Sequence, residues 1–149
     1  QSTPQATHLI KVACETALGK RGHMEVFGTD YPTADGTCIR DYIHVTDLVR
    51  AHMAALHHLR AGGQSEVFNC GYSKGFSVLQ VIEAVKRSSG ADFEVRLSPR
   101  RAGDPAAIVA ASDKIRMHLG WRPEFDSLET ITVQALAWEA HLQQFKHAS

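Results

Sequence analysis

Hydrophobic positions along this chain switch repeatedly between helical and alternating spacing, and the switches predict an order of elements. From 8 to 18, Leu9, Ile10, Val12, Ala13 and Ala17 recur at helical spacing, and Gly19 follows as a natural stop. Residues 24–27 read as a short extended run. Residues 28–37, rich in Gly, Pro, Asp and Thr, read as a polar loop. Ile39, Ile43 and Val45 make 39–45 extended again. A helix over 47–60 carries Leu48, Ala51, Ala55, Leu56 and Leu59 as one stripe and ends at Gly62-Gly63, after which 66–70 reads as a strand.

The clearest helix is 77–89. Ser77 and Gln80 have the spacing of a capping box, each able to satisfy a backbone donor of the first turn. Val78, Val81, Ile82 and Val85 then repeat on one face until Gly90. Phe93, Val95 and Leu97 alternate as in a strand, and Ser112 can cap a short helix closed by Gly120. Ser127 opens a last helix with Leu128, Ile131, Ala135, Leu136, Trp138, Leu142 and Phe145 on it. The class is α/β, with no internal repeat and no low-complexity tract.

Composition narrows the function classes. The chain has 149 residues, enough for one domain with a core, and is 44% hydrophobic and 21% charged. Lys plus Arg equals Asp plus Glu at 16 each, so no overall field favours nucleic acid or an anionic membrane. An anionic ligand must therefore be held by a few local arginines. Cys14, Cys38 and Cys70 are odd in number and widely spaced, which argues against a disulfide framework and suits a reducing cytoplasm. No run approaches the ~20 apolar residues that cross a bilayer. The polar opening QSTPQATH has no signal-peptide pattern and reads as the middle of a loop, trimmed or cut from a longer chain.

No GxGxxG turn, P-loop or HExxH is present, and the histidines have no metal-ligand spacing, so no catalytic or metal residue is nominated. Two arginine-bearing segments remain. In Gly36-Thr37-Cys38-Ile39-Arg40-Asp41-Tyr42-Ile43-His44-Val45, strand alternation would put Arg40, Tyr42 and His44 on one face, a charged fork beside a phenol. In Ser98-Pro99-Arg100-Arg101-Ala102-Gly103-Asp104-Pro105, adjacent arginines can clamp a diphosphate and Asp104 can accept from ribose hydroxyls. Each segment taken alone reads more readily as solvated surface with ordinary ion pairs. Together they allow an anionic, nucleotide-like ligand, and the residues alone go no further.

The run DGTCIRDYIHVTDLVRAH (35–52) resembles the signature of the UDP-glucose 4-epimerases, members of the extended short-chain dehydrogenase/reductase family. HLI (8–10), EVFGTDYPTADGT (25–37), VFNCGYSKGFSVLQVI (67–82), PRRAGDPA (99–106) and His118-Leu119-Gly120-Trp121-Arg122-Pro123 fall in the family's order. RDYIHVxD is shared with other nucleotide-sugar epimerases and dehydratases. FGxDYxTxDGTxxRDYIHV as a unit is more specific. Lys11 stands where proline is usual, and Cys70-Gly71-Tyr72 replaces a commoner Leu-Gly pattern.

The resemblance implies roles. Phe27 would lie against the uracil with Glu25 beside it, and Arg40 and Arg101 would neutralise the diphosphate near Tyr42. Asp104 would hold the ribose, and Val78 would line the site. His8 and Leu9 would form its amino-terminal edge. Ile108 would border the sugar, without deciding whether an N-acetyl group fits. Substrates would be UDP-glucose and UDP-galactose, and the full-length enzyme a cytoplasmic homodimer using NAD, with no nucleic acid or membrane partner.

The same resemblance implies that 1–149 is a single fragment, the carboxy-terminal substrate-binding portion, with a few elements that would complete the Rossmann sheet. The amino-terminal NAD-binding domain and the catalytic Tyr and Lys have no counterpart in it. The fragment is expected to bind no NAD and to be inactive alone. Helix 47–60 and strand 67–69 would then lose partners and leave an exposed edge and an apolar patch, met by local disorder, self-association or an intact partner chain. A related nucleotide-sugar epimerase or dehydratase, and a stand-alone nucleotide-sugar-binding module, are the alternatives.

Overall fold

In the computed structural model, which describes residues 7–146, the elements run α1 (Leu9–Ala17), β1 (His23–Phe27), β2 (Ile39–Arg40), α2 (Val45–Arg60), β3 (Phe76–Ser77), α3 (Val78–Ser89), β4 (Glu94–Ser98), β5 (Ala107–Ile108), α4 (Asp113–Leu119) and α5 (Leu128–Lys146). The polar opening segment 1–6 lies outside the described residues. So does the side chain of Phe145.

β1 and β4 pair in parallel, Met24 opposite Val95 and Val26 opposite Leu97. Alternation sends Met24 and Val26 inward, where they meet Ala13 and Cys14 of α1 and Ile82 and Val85 of α3. α5 closes this layer through Ala135 and Leu136. A second cluster joins Ala51 of α2, Ile115 of α4 and Ile131 of α5 to Tyr72 and Trp121. A second, small sheet has the order β3-β2-β5, antiparallel on one side and parallel on the other.

The capping box expected at α3 is formed: the Ser77 hydroxyl accepts from the Gln80 amide, and the Gln80 side chain accepts from the Ser77 amide. Gly90 ends the helix in the left-handed region. The loop before β2 turns on Gly36 (φ +78), where a Cβ would fall 2.1 Å from the Thr29 carbonyl oxygen. Lys11, the departure from the usual proline, bonds Glu139 of α5 at 2.6 Å and Glu15 at 3.1 Å, pinning α1 to α5.

Several expectations are corrected. The extended run 39–45 shrinks to two strand residues, because the His44 imidazole accepts from the Thr46 amide and starts α2 at Val45. His44 itself turns away from Arg40 and Tyr42. It is buried, stacked on Phe125 at 4.7 Å and hydrogen-bonded to Gln134 at 2.8 Å. Residues 66–70 form no strand, for no described strand lies beside them to complete a ladder. Val67 is left 83% exposed. Ser112 caps nothing; its hydroxyl bonds that of Ser73 at 2.8 Å. Leu97 and Trp138 point outward where no described element covers them.

Helix α2 divides its apolar residues between two faces. Ala51 is buried, whereas Leu56 and Leu59 of the expected stripe lie with Val45, Val49 and Met53 on an exposed side. No helix among the described residues is long and apolar enough to cross a membrane.

Candidate functional site

A cleft of about 600 Å³ opens where the ends of β1 and β2, the starts of α1 and α3, and the loop before β5 converge. Of the residues nominated from the sequence, Leu9, Glu25, Phe27, Arg40, Tyr42, Val78, Arg101 and Asp104 line it. His8 does not. It precedes α1, exposed, with no side-chain cap hydrogen bond. Ile108 lines a neighbouring hollow with Asp41 and Asn69. It is the parallel-sheet partner of Arg40, which borders both hollows.

Arg40 is held by three hydrogen bonds. Nη1 donates to the Ile39 and Pro105 carbonyl oxygens at 2.7 and 2.9 Å, and Nη2 donates to Asp104 Oδ1 at 2.9 Å. These contacts leave Arg40 partly exposed to the cleft with its orientation set. Asp104 Oδ2 has no donor among the described residues. Tyr42 is half-buried, and burial pushes its phenol up to about 12, with the Cys38 thiol adding and Arg40 subtracting. The hydroxyl therefore stays a proton donor at neutral pH.

The two adjacent arginines part company. Arg100 turns away from the cleft, its Nε 2.5 Å from Asp30 Oδ1 and its guanidinium over the Tyr31 ring. Arg101 alone enters the cleft, its guanidinium carbon 3.8 Å from the centroid of Phe27. No carboxylate among the described residues pairs with it. A two-arginine clamp from one loop is thus replaced by one arginine from the loop and one from β2.

The start of α3 is not an anion site here. Its first amides are already used: Val78 donates to the Cys38 carbonyl at 3.2 Å, Leu79 to the Thr37 hydroxyl at 3.4 Å, and Gln80 to Ser77. The cationic groups that the cleft offers are therefore the side chains of its arginines.

Cys38, Met24, Val12 and Arg21 also line the cleft and were not nominated. Cys38 stands two residues before Arg40 and shares its parity, and Val12 is one helical turn beyond Leu9, so both carried a signal. Gly71-Tyr72-Ser73-Lys74-Gly75 has the spacing of a nucleophile elbow, and Ser73 adopts φ 56. Its hydroxyl is shared with Ser112 rather than with an imidazole, which makes it a tie between two loops.

A family model for the NAD dependent epimerase/dehydratase family matches residues 1–71. The UDP-glucose 4-epimerase of Azospirillum brasilense is 54% identical over 97% of this chain and 41% of its own length. The UDP-Glc/GlcNAc 4-epimerase of Campylobacter jejuni is 54% identical with a TM-score of 0.84, over 95% of this chain and 43% of that one. The UDP-glucose-4-epimerase of Stenotrophomonas maltophila, solved with NAD and formylated UDP-arabinopyranose, is 34% identical with a TM-score of 0.91, over 97% and 43%. The chain spans about two fifths of the length of the curated relatives it matches.

Proposed function

We propose that this chain belongs to the NAD dependent epimerase/dehydratase family, whose model matches residues 1–71, and that it forms the UDP-holding part of a UDP-glucose 4-epimerase, the enzyme its relatives are. One observation carries the reading. Arg40, Arg101 and Tyr42 face a single cleft, one arginine fixed by protein acceptors and the other without a carboxylate partner among the described residues.

The diphosphate lies between Arg40 and Arg101, where charge-assisted hydrogen bonds replace its water. Tyr42 adds a neutral donor. The free oxygen of Asp104 accepts from a ribose hydroxyl, and Leu9, Glu25 and Val78 border the base. The substrates are UDP-glucose and UDP-galactose. Anchoring the nucleotide lets the sugar turn within the site while its other end stays put, so one pocket presents both faces of the same carbon. Ile108, beside Arg40, borders the sugar.

The described residues do not fit NAD. A dinucleotide pyrophosphate needs free amides in a strand-to-helix turn, and those of β3–α3 are taken by Cys38, Thr37 and Ser77. The turn into α2 is capped by His44. Hydride chemistry is therefore assigned to a longer protein, and this chain alone is expected to be inactive.

Calorimetric titration with UDP tests the assignment. Arg40→Ala and Arg101→Ala should each weaken binding by about 10-fold, the scale of a lost charge-assisted contact. Undiminished affinity in both variants would remove the diphosphate from this cleft. A folded chain that binds no UDP, even when supplied with the rest of a longer relative, would sink the reading altogether.

A further inference from the structure

The segment that brings Arg101 and Asp104 to the cleft is fastened at both ends to residues 28–40. At its far end, Arg40 donates to the Pro105 carbonyl and to Asp104, each at 2.9 Å, and the Ile39 amide donates to the Ala106 carbonyl at 2.8 Å. At its near end the fastening is Arg100. Its Nε donates to Asp30 Oδ1 at 2.5 Å, its Nη2 donates to the Asp30 carbonyl oxygen, and its guanidinium carbon lies 4.2 Å from the centroid of buried Tyr31. Gly28 (φ +84) permits this approach, since a Cβ there would fall 2.5 Å from the Tyr31 ring and 2.7 Å from Arg100 Cγ.

An exposed ion pair alone contributes little. Arg100 does more than pair: the edge of its guanidinium serves a carboxylate and a carbonyl, and its face serves a ring. The loop it grips is itself held. The Tyr31 amide donates to the Gly36 carbonyl at 2.9 Å, the Thr33 hydroxyl donates to the Thr37 carbonyl at 2.7 Å, and Asp35 accepts from Ser77 at the start of α3. Between the two fastenings stand Arg101, Ala102 and Gly103 (φ +80). A span this short, held at both ends, leaves Arg101 little freedom to lose when an anion binds.

We propose that Arg100 is a positioning residue: it fastens the segment carrying Arg101 and Asp104 to loop 28–37 and so holds Arg101 in the cleft for a diphosphate. The inference rests on the UDP-holding reading for the identity of the anion alone.

Two measurements on the chain test it. The first needs no ligand. Trypsin cleavage of the Arg101–Ala102 bond, followed by mass spectrometry, should run ~3- to 10-fold faster in Asp30→Ala and in Arg100→Ala, the scale of losing a charge-assisted contact from a locally opening loop. Cleavage of Arg60–Ala61, at the end of α2, should keep its rate. Unchanged rates at Arg101, or equal acceleration at both bonds, overturns the proposal.

The second is calorimetric titration with inorganic pyrophosphate and with UDP. Removing the Asp30 charge would by itself favour an anion. Loss of the fastening predicts the reverse: Asp30→Ala and Arg100→Ala should each weaken both ligands by ~3-fold or more. Their combination should be no weaker than Arg100→Ala alone, and Asp30→Ala should no longer weaken pyrophosphate once Arg101 is alanine. Tighter binding in Asp30→Ala beside weaker binding in Arg100→Ala would show that Arg100 acts through its own charge, and overturns the proposal. A folded chain that binds neither ligand overturns the UDP-holding reading, while the trypsin rates still decide the role of Arg100.

Discussion

Arg40 Nη2 donates to Asp104 Oδ1 at 2.9 Å, joining residues 64 apart in sequence at the mouth of one cleft. The contact orients the guanidinium while leaving the second carboxylate oxygen to a ligand. It also places a negative charge beside the site proposed for an anion. Asp104→Asn keeps an acceptor for Arg40 and removes that charge. Pyrophosphate should therefore bind ~3-fold more tightly at low salt, the scale of one unit charge about 6 Å away in water. The gain should fade as ionic strength rises. Calorimetry at two salt concentrations measures it, and a weakened pyrophosphate affinity would mean that the Asp104 charge is needed to orient Arg40.

Asp47, in the first turn of α2, is a second carboxylate that gathers hydrogen bonds from distant segments. It is fully buried and accepts from the Tyr72 hydroxyl at 2.7 Å and from the Glu124 and Phe125 amides at 3.0 and 2.9 Å. Trp121 donates to its carbonyl. Asp47→Ala removes at once the carboxylate that accepts from the buried Tyr72 hydroxyl and from two part-buried amides, and should cost about 2–4 kcal/mol of unfolding free energy. Urea denaturation reads the change, and a loss below about 0.5 kcal/mol would show that water replaces the carboxylate.

Acid sensitivity follows from the same group. Burial alone would raise the Asp47 carboxyl, but the Glu124 amide, the Tyr72 hydroxyl and the Phe125 amide outweigh it and hold the group below the usual carboxylate range. Asp35 is lowered likewise: burial opposes ionisation, and bonds from Ser77 and Thr37 prevail. A depressed folded value means stability that is complete above the unfolded value of ~4 and is lost as pH falls through the folded one. The urea midpoint should drop steadily below about pH 4. In Asp47→Asn that slope should be shallower, and an unchanged slope would assign the acid loss to other carboxylates.

The outer face of α2 makes a further expectation. Val45, Val49, Met53, Leu56 and Leu59 are each 45–68% exposed along one side of the helix. Water-facing apolar stripes of this length favour association. The chain alone should form dimers through this face at micromolar concentration or above, and Met53→Lys with Leu56→Lys should return it to a monomer. Analytical ultracentrifugation across a concentration series decides; a chain that stays monomeric throughout shows that the stripe does not drive association.

Local signals in the sequence determined α1, α3, α5 and the extended run of β1, because each is written in residues close along the chain. The Ser77–Gln80 box needed no knowledge of the rest of the chain, whereas the inward placement of Met24 and Val26 came from the packing of α1 and α3 against them. Much of the cleft was legible as well, through motif resemblance for Phe27, Arg40, Tyr42, Arg101 and Asp104. Only the tertiary structure separated Arg100 from Arg101, since neighbouring identical side chains diverge according to what stands beside them: Asp30 and Tyr31 on one side, Phe27 on the other. It also cut short the run at 39–45, where His44 found Phe125 and Gln134 from distant segments. The run at 66–70 has strand composition and no strand pairing, for a ladder needs a second backbone that its own residues cannot supply.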